Sequence, residues 1–481
     1  MANRGYGNFA FMYSINRDIY EQLSKAERNA RIDFQDTGNP IRKALELFAA
    51  DLIDTHNLSA FIPAELELAE KLRLLNHAQT LQDAGYLAPG QPIWQKPLLP
   101  YNAYNRNLGR YNDEVQYTVT ASDNQAGYEM KSGSYYYFLR KFGNAFSHAG
   151  ELDGEPEKNF ENLCKALRVF HKILIKAYHV PGVPPFSVNK MPIGEFIVDS
   201  TMEPADQELS GCMMEFSAHT VDHNGEPEFY ALLRQYPRDS LDANFMRRNR
   251  DCFVEAAKSS ISSVPDGMTR MRELTDRTAD NEFYIIAYIF NRKASILDND
   301  ILQQMDRSQR LDLCKRLLVG MEGLHSTENP IYHRLLNPTC IYVSKYKNIW
   351  VPYIVKLDYA KIEMAVDGRL LTVRQYAQKA NEGLAAQNML QRYIPREWNG
   401  KNSESTDIDW GKVDTFSLGV LLLDIRFGKF TPLAPGLLFE ELYNRGESEE
   451  LLHVLDRMCK ESPADRSTVI EALRSFEKEV R

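Results

Sequence analysis

The feature that most constrains the fold is an ordered series of short patterns in the second half of the chain. Leu311–His325 has apolar residues at helical spacing and precedes a His-Arg pair, His333 and Arg334. A Lys-Leu-Asp-Tyr-Ala segment follows at 356–360, and an apolar helical stretch begins at Val413. Because several patterns occur in one order at regular spacing, together they constrain the fold more than any one of them would.

These patterns resemble those of protein kinases. Residues 331–341 are similar to the catalytic loop, in which His-Arg is followed by the catalytic Asp and then by a metal-binding Asn. Here the Asp position holds Leu335 and the Asn position holds Cys340. Leucine cannot accept a hydrogen bond from a substrate hydroxyl, and a neutral thiol is a poor ligand for Mg²⁺. The resemblance therefore implies a pseudokinase, a kinase fold without phosphoryl transfer.

Other positions of the nucleotide site depart from the kinase pattern as well. Asp358 is retained where kinases have the Asp of Asp-Phe-Gly, but Ala360 replaces the Gly. In the predicted strand Phe229–Arg234, Leu233 holds the position of the lysine that binds the ATP phosphates. Arg234 could reach inward toward a nucleotide instead, although an ordinary solvated strand residue is favoured. Residual binding of ATP and Mg²⁺ by Asp358 and Arg234 stays open but is not expected, and no cofactor is required.

The positions that match kinases best are structural. By resemblance, Asp414 should accept hydrogen bonds from the backbone of the loop that contains His333 and Arg334. Glu397 should pair with Arg466 and brace the large lobe. These residues indicate a fold, and none of them indicates catalysis.

The first half of the chain contains a second pattern, on the predicted helix Tyr135–Gly150. Arg140, Gly143, Asn144 and His148 resemble the R-x-x-G-N-x-x-x-H ending of one subgroup of HEPN domains. HEPN domains are all-helical bundles, and many of them dimerise and cut RNA without a metal. The resemblance implies His148 as acid and base, Arg140 as phosphate holder and Asn144 as orienter. Cleavage would use the 2′-hydroxyl of the RNA itself.

The spacing of these residues leaves two alternatives open. Arg140 lies eight positions before His148, which puts the two side chains ~80° apart and ~12 Å along a helix. They cannot touch within one protomer, although Asn144 lies midway and a dimer could bring Arg140 of one chain to His148 of the other. The first alternative is a nuclease. The second is a binding or scaffolding domain in which Asn144 and His148 make structural hydrogen bonds.

The beginning of the chain also fits this subgroup. Tyr20–Arg31 and Pro40–Leu52 are amphipathic and rich in helix formers, and Asn39 is expected to cap the second of them. Arg42 and Glu46 are spaced i,i+4, which predicts an ordinary surface ion pair.

Composition excludes several classes of protein. A length of 481 residues with 43% hydrophobic residues predicts more than one core. The net charge of −9 excludes a dedicated nucleic-acid coat protein but not a local basic site. The 6 cysteines form no C-x-x-C pattern and are expected to be free thiols in a reducing compartment. No apolar run approaches the ~20 residues needed to span a bilayer, so a cytoplasmic location and no membrane contact are expected. No metal site is predicted.

We therefore expect a multidomain chain. Residues 1–178 would form an all-α HEPN-like helical bundle with an insertion at about 88–128. A Pro- and Gly-rich linker would follow at 179–189. Residues 190–481 would form an α+β two-lobed protein-kinase-like domain, with a small lobe at about 190–291 and a large lobe at about 292–481.

The expected function is that of a regulated RNA-cleaving or RNA-binding effector in a prokaryotic defence or stress system. The inactive kinase-like domain would be its sensor or docking module. The alternative is a non-catalytic adaptor that dimerises through the HEPN domain and binds a partner protein through the pseudokinase. A weak atypical kinase is the third possibility. The expected partners are RNA, a partner protein and a second copy of the chain.

Overall fold

The chain divides into two compact units. The computed structural model describes residues 5–76, 98–102, 104–105, 107–120, 128–147, 156–204, 212–238, 270–275, 283–327, 330–357, 360–362, 391–398 and 408–479. The first unit consists of Met1–Ser200, Ala218–Pro227 and Leu274–Tyr284. The second consists of Thr201–Ser217, Glu228–Glu273 and Ile285–Arg481. The chain is a mixed α and β protein, and the domain limits expected from the sequence stay a prediction.

Five helices of the first unit position the candidate site. They are α1 (Arg17–Asn29), α2 (Gly38–Thr55), α3 (Leu68–Asn76), α4 (Tyr135–Ser147) and α5 (Pro156–Ala177). The helices predicted near the start of the chain are confirmed as α1 and α2, each of which begins a few residues before the predicted start.

The start of α2 differs from the prediction. Thr37 is the N-cap residue and Asn39 lies inside the first turn, so the expected Asn39 cap is wrong. A short 3-10 helix, Phe34–Thr37, leads directly into α2, so no extended residue precedes the helix as an ordinary cap requires. The Thr37 hydroxyl donates backward to the Phe34 carbonyl at 2.6 Å.

The core of the first unit lies where α2 packs against α1 and α4, and where α4 packs against α5. Leu23, Leu45, Phe48, Leu139 and Phe170 are fully buried there. The rings of Phe48 and Phe170 meet edge to face with their centroids 6.3 Å apart.

Strands in the first unit correct the expectation of an all-helical domain. β1 (Tyr104–Asn105) pairs with β2 (Arg110–Tyr111), and β3 (Glu114–Thr120) pairs antiparallel with β4 (Tyr128–Ser134). Val115 and Tyr117 point to the buried side of β3, while Gln116 between them is exposed. This alternation of β-branched and aromatic residues with polar ones favours a strand over a helix. Since β4 ends at Ser134, it leads directly into α4.

A five-stranded sheet follows in the sequence. It is built from β5 (Ile197–Met202), β6 (Met214–Val221), β7 (Pro227–Pro237), β8 (Arg270–Glu273) and β9 (Phe283–Phe290), in the order β5-β6-β7-β9-β8. β8 and β9 are antiparallel. The predicted strand Phe229–Arg234 is confirmed as part of β7.

The remainder of the second unit is mostly helical. Its helices are α6 (Asn299–Gln303), α7 (Arg307–His325), α8 (Trp410–Phe427), α9 (Pro435–Asn444), α10 (Glu449–Met458) and α11 (Val469–Glu479). β10 (Ser295–Ile296), β12 (Ile341–Tyr346) and β13 (Ile349–Ile354) form one sheet, and β11 (Ile331–Tyr332) pairs with β14 (Lys361–Ile362).

α7 and α8 confirm the helices predicted at Leu311–His325 and from Val413. α7 begins with a capping box in which the side chains of Asp306 and Gln309 each accept the other residue's backbone N–H. α8 is buried along most of its length, as the apolar pattern from Val413 predicted, and Leu418, Leu421 and Leu422 have no exposed surface.

The described cysteines agree with the expectation of free thiols. Cys164, Cys212, Cys314, Cys340 and Cys459 form no disulfide. Among the described residues, no helix combines the length and apolar character needed to cross a membrane.

Candidate functional site

A polar pocket of about 410 Å³ lies between α2, α3 and α4 in the first unit. Arg42 and Glu46 of α2, Lys71 of α3, and Arg140 and Asn144 of α4 all line it. The rest of its wall comes from the segment at the start of α3, namely Leu66, Glu67, Leu68 and Ala69. The pocket thus brings together Arg140 and Asn144, two of the three predicted HEPN site residues.

One face of α4 presents an exposed aromatic ring beside two basic side chains. Tyr137, Arg140 and Asn144 are spaced i, i+3 and i+7, so they lie along one side of the helix. The Tyr137 side chain is 43% exposed. The Arg140 guanidinium lies 5.8 Å from the centroid of the Tyr137 ring, and the Lys141 ammonium lies 5.9 Å from the same centroid. This face therefore offers an accessible aromatic ring beside two cations.

Gly143 brings this helix close to α2. A Cβ at Gly143 would lie 2.8 Å from the Arg42 Cβ and 3.3 Å from its Cα, which is too close for any larger residue. Asn144 adjoins Gly143 in sequence and Arg140 lies one turn earlier. The close approach therefore fixes the backbone of Arg42 beside both predicted site residues.

The charges that line the pocket favour an anion. Arg42, Lys71 and Arg140 are basic, whereas Glu46 and Glu67 are acidic. The predicted pair is present: Arg42 Nε lies 3.2 Å from Glu46 Oε1, and both side chains are nearly half exposed. The Lys71 ammonium donates to the Ala64 carbonyl at 2.6 Å. Arginine can bind a phosphate with two parallel hydrogen bonds, so a pocket with this lining suits a phosphate group.

Sequence analysis identified only part of this pocket. Arg140 and Asn144 were predicted as site residues, whereas Arg42 and Glu46 were predicted only as a surface pair and Lys71 was not predicted at all. Lys71 carries no motif of its own, because only the packing of α3 against α2 places it in the pocket. His148 lies outside the described residues, just beyond the end of α4.

In the second unit, Asp414 holds the loop that contains the His-Arg pair. Its carboxylate accepts the backbone N–H of His333 and that of Arg334, each at 2.7 Å. The His325 Nε2 lies 2.9 Å from the same carboxylate. Asp414 is fully buried, and Arg334 has a left-handed backbone with φ of 67°. The loop is therefore held in one conformation by a single buried carboxylate.

The His333 side chain also belongs to the interior. Its Nε2 donates to the Val355 carbonyl at 2.9 Å, and the ring is fully buried. Burial lowers the pKa of His333, but Cys340, Asp414 and the bond to Val355 outweigh it and raise that pKa above its ordinary value. A ring enclosed in this way orders the loop and does not face solvent or substrate.

Leu335 and Cys340, which were predicted to replace the catalytic Asp and the metal-binding Asn, are both buried. Leu335 is buried in an apolar cluster with Trp398, Trp410 and Val413. The Cys340 thiol donates to the Leu335 carbonyl at 3.5 Å. Neither side chain supplies an oxygen for a proton or a metal ion. Ala360 is fully buried, and Asp358 lies outside the described residues.

The position of Arg234 corrects the expectation of a solvated strand residue. Arg234 is fully buried on β7, as is the neighbouring Leu233. Arg234 Nε lies 3.3 Å from Glu215 Oε1 on β6, the adjacent strand, and Lys356 Nζ lies 3.1 Å from the same oxygen. A buried guanidinium requires a charged partner, and Glu215 is that partner here. Neither Glu215 nor Lys356 was predicted from the sequence.

The Glu397–Arg466 pair is present in the large helical part of the second unit. Arg466 Nη1 donates to Glu397 Oε1 at 2.5 Å and Nη2 donates to Oε2 at 3.4 Å. The same guanidinium donates to the carbonyls of Lys412 and Lys460. Arg466 is buried, so the pair and these carbonyls join segments that are distant in sequence.

Among the described residues, no group of three or more His, Cys, Asp or Glu side chains is placed to hold a metal ion.

No protein-family model matches the chain, and no curated protein matches it. Solved structures do match, among them that of the kinase domain and SCD2 of Rad53. That structure is 15% identical in sequence, covers 58% of this chain and 88% of its own, and superposes with a TM-score of 0.36. A likeness of this size assigns no role to any residue of this chain.

Proposed function

We propose that the first unit binds RNA at the pocket formed by Arg42, Lys71, Arg140 and Asn144, and cleaves it with the help of His148. The second unit is, in this proposal, a kinase-like domain that does not transfer phosphoryl groups and acts as a sensor or docking module. The observation that carries the proposal is the convergence of three basic side chains and Asn144 on one pocket.

The exposed aromatic ring on α4 adds support for RNA. Bases of single-stranded RNA stack on accessible aromatic side chains, while cations beside the ring hold the phosphates. Tyr137 has both properties, because it is exposed and lies beside Arg140 and Lys141. A chain with a net charge of −9 needs such a local site, because its overall field repels nucleic acid.

The chemistry assigned to the site requires no metal. Arg140 would hold the phosphate while the adjacent 2′-hydroxyl attacks the phosphorus. His148 would take the proton of that hydroxyl or give one to the departing 5′-oxygen. The products would be a 2′,3′-cyclic phosphate and a 5′-hydroxyl, so the bonds and protons balance without any other reactant. Asn144 would orient the phosphate or the His148 ring.

In the second unit, the loop that contains His333 and Arg334 lacks the groups needed for phosphoryl transfer, which supports the proposal. Leu335 and Cys340 offer neither a base nor a metal ligand, and the buried Arg234 is engaged by Glu215. We therefore assign the RNA chemistry to the first unit alone.

The test is RNA cleavage by the full chain in the presence of EDTA. We expect His148→Ala to lower the cleavage rate about 10²- to 10⁴-fold, the usual contribution of general acid–base catalysis. Arg140→Ala should lower it strongly as well, and Arg17→Ala, an exposed arginine on α1, should have no effect. Wild-type cleavage that persists unchanged in His148→Ala would contradict the assignment of His148. RNA binding without any cleavage would favour the adaptor alternative.

A further inference from the structure

Arg42 lines the pocket and is paired there with the carboxylate of Glu46. Its Nε lies 3.2 Å from Glu46 Oε1, and both residues line the pocket that also contains Arg140, Asn144 and Lys71. The contact of Gly143 with the Arg42 backbone fixes the point from which the Arg42 side chain extends. An arginine fixed beside two predicted site residues is well placed to contact the ligand. In this structure, however, the Nε group of Arg42 is already paired with Glu46.

The pair is one that a phosphate can displace. Arg42 and Glu46 are 41% and 47% exposed, and exposed i,i+4 ion pairs are weak. A phosphate offers two oxygens to the planar guanidinium and makes shorter, stronger hydrogen bonds than a solvated carboxylate contact. A carboxylate that remained beside the phosphate would also repel it.

We propose that Glu46 is a built-in competitor for RNA at Arg42. In the free protein, Glu46 holds the guanidinium; when RNA binds, one backbone phosphate replaces Glu46 on Arg42 while a neighbouring phosphate is held by Arg140. The pocket thus binds two phosphates of one RNA strand. Because Glu46 competes for Arg42, the pocket binds RNA more weakly than its basic residues alone would. This inference rests on the proposed RNA function of the same pocket.

The test is the affinity of the full chain for a fluorescently labelled single-stranded RNA, measured by anisotropy in EDTA. Every variant is made in a His148→Ala background, so that the RNA stays intact. We expect Glu46→Gln to tighten binding three- to tenfold at low salt, because the neutral amide no longer competes or repels. Arg42→Ala should weaken binding by a similar factor. Adding Glu46→Gln to Arg42→Ala should tighten binding less than Glu46→Gln does alone, since the repulsion is relieved but the competed guanidinium is gone.

The first unit offers a matched control. Arg17 Nε pairs with Glu21 Oε1 at 2.9 Å, also at i,i+4 and also exposed, but neither residue lines the pocket. Glu21→Gln removes the same charge at a distance, so it should leave the RNA affinity unchanged. An equal gain from Glu21→Gln would show a general charge effect and would overturn the proposal.

Two further results separate this inference from the proposed function. If Arg140→Ala weakens RNA binding but Glu46→Gln does not strengthen it, the competitor role is wrong and the RNA site stands. If RNA fails to bind the protein with or without Glu46, the proposed function is wrong, and the competitor role is wrong with it.

Discussion

Glu27 is a buried residue whose protonation makes the stability of the first unit depend on pH. It is fully buried on α1, and its Oε1 accepts the backbone N–H of Asn8 at 3.2 Å and the Asn8 side-chain amide at 2.7 Å. The same Asn8 side chain accepts the N–H of Ser187 and donates to its carbonyl, so it ties residues 8 and 187 to one helix. Burial raises the pKa of Glu27 to about 8, although the bonds from Asn8 act against the shift.

The sign of the resulting pH effect is fixed. Between pH 4.5 and about 8 the folded chain keeps a proton on Glu27 that the unfolded chain releases, so the free energy of unfolding falls as the pH rises. We expect a loss of about 2 kcal/mol between pH 6.5 and 8. Glu27→Gln should remove most of this slope, because the amide keeps an oxygen for Asn8 and carries no proton to lose. The measurement is denaturant unfolding of the full chain at several pH values.

The same experiment has an internal control and a defined pH range. Burial lowers the pKa of His171 to about 4, so this residue makes the folded state less stable only as the pH falls below 6.5. Work above pH 6.5 therefore separates Glu27 from His171, and the comparison of Glu27→Gln with wild type cancels the contribution of His333, whose raised pKa acts in the same direction. Glu21→Gln, an exposed change on the same helix, should keep the wild-type pH slope. A wild-type slope that persists in Glu27→Gln would contradict the assignment.

At the scale of elements, the contact of α4 with α2 determines whether the pocket exists. Gly143→Ala would place a methyl group 2.8 Å from the Arg42 Cβ, so the helices must separate. We expect a loss of about 1–3 kcal/mol in the free energy of unfolding, typical of overpacking, together with weaker RNA binding. Gly436→Ala on α9 is the matched control, because a Cβ there meets nothing within 4 Å. Equal stability of Gly143→Ala and wild type would show that the helices do not need this close approach.

The elements that were predictable from the sequence are those with strong local patterns. α1, α2, α7 and α8 were predicted from apolar spacing, and β7 from an apolar run. The β3–β4 hairpin was not predicted, because β3 lies in the region assigned to an insertion at about 88–128, and no strand was assigned there. The Asn39 cap was wrong since the preceding 3-10 helix leaves no extended residue before α2.

The candidate site was predictable only where a motif marked it. Arg140 and Asn144 lie on one helix at a recognisable spacing, and local sequence suffices to find them. Lys71 enters the pocket from a different helix, and Lys356 reaches Glu215 from a segment far away in sequence. Arg234 was assigned to solvent because strand alternation does not reveal a charged partner on the neighbouring strand. Such contacts depend on tertiary packing, which periodicity does not encode.

At the scale of the whole molecule, an acidic chain must bind RNA through few contacts. The net charge of −9 means that any affinity comes from a local site, and its salt dependence then counts the phosphates held there. The salt dependence therefore distinguishes RNA binding at the pocket from a diffuse electrostatic attraction, which the overall negative charge opposes. It also separates the pocket of the first unit from the loop that contains His333 and Arg334, to which no phosphate contact is assigned.

The most direct test of the central claim is therefore the slope of log affinity against log salt for a short single-stranded RNA. Wild type, Arg140→Ala and Arg17→Ala would be compared as full chains, each in a His148→Ala background. We predict that Arg140→Ala weakens binding and makes the slope shallower by about 0.7, the contribution of one phosphate contact on a single strand, while Arg17→Ala matches wild type. An Arg140→Ala slope and affinity equal to those of wild type would contradict RNA binding at this pocket.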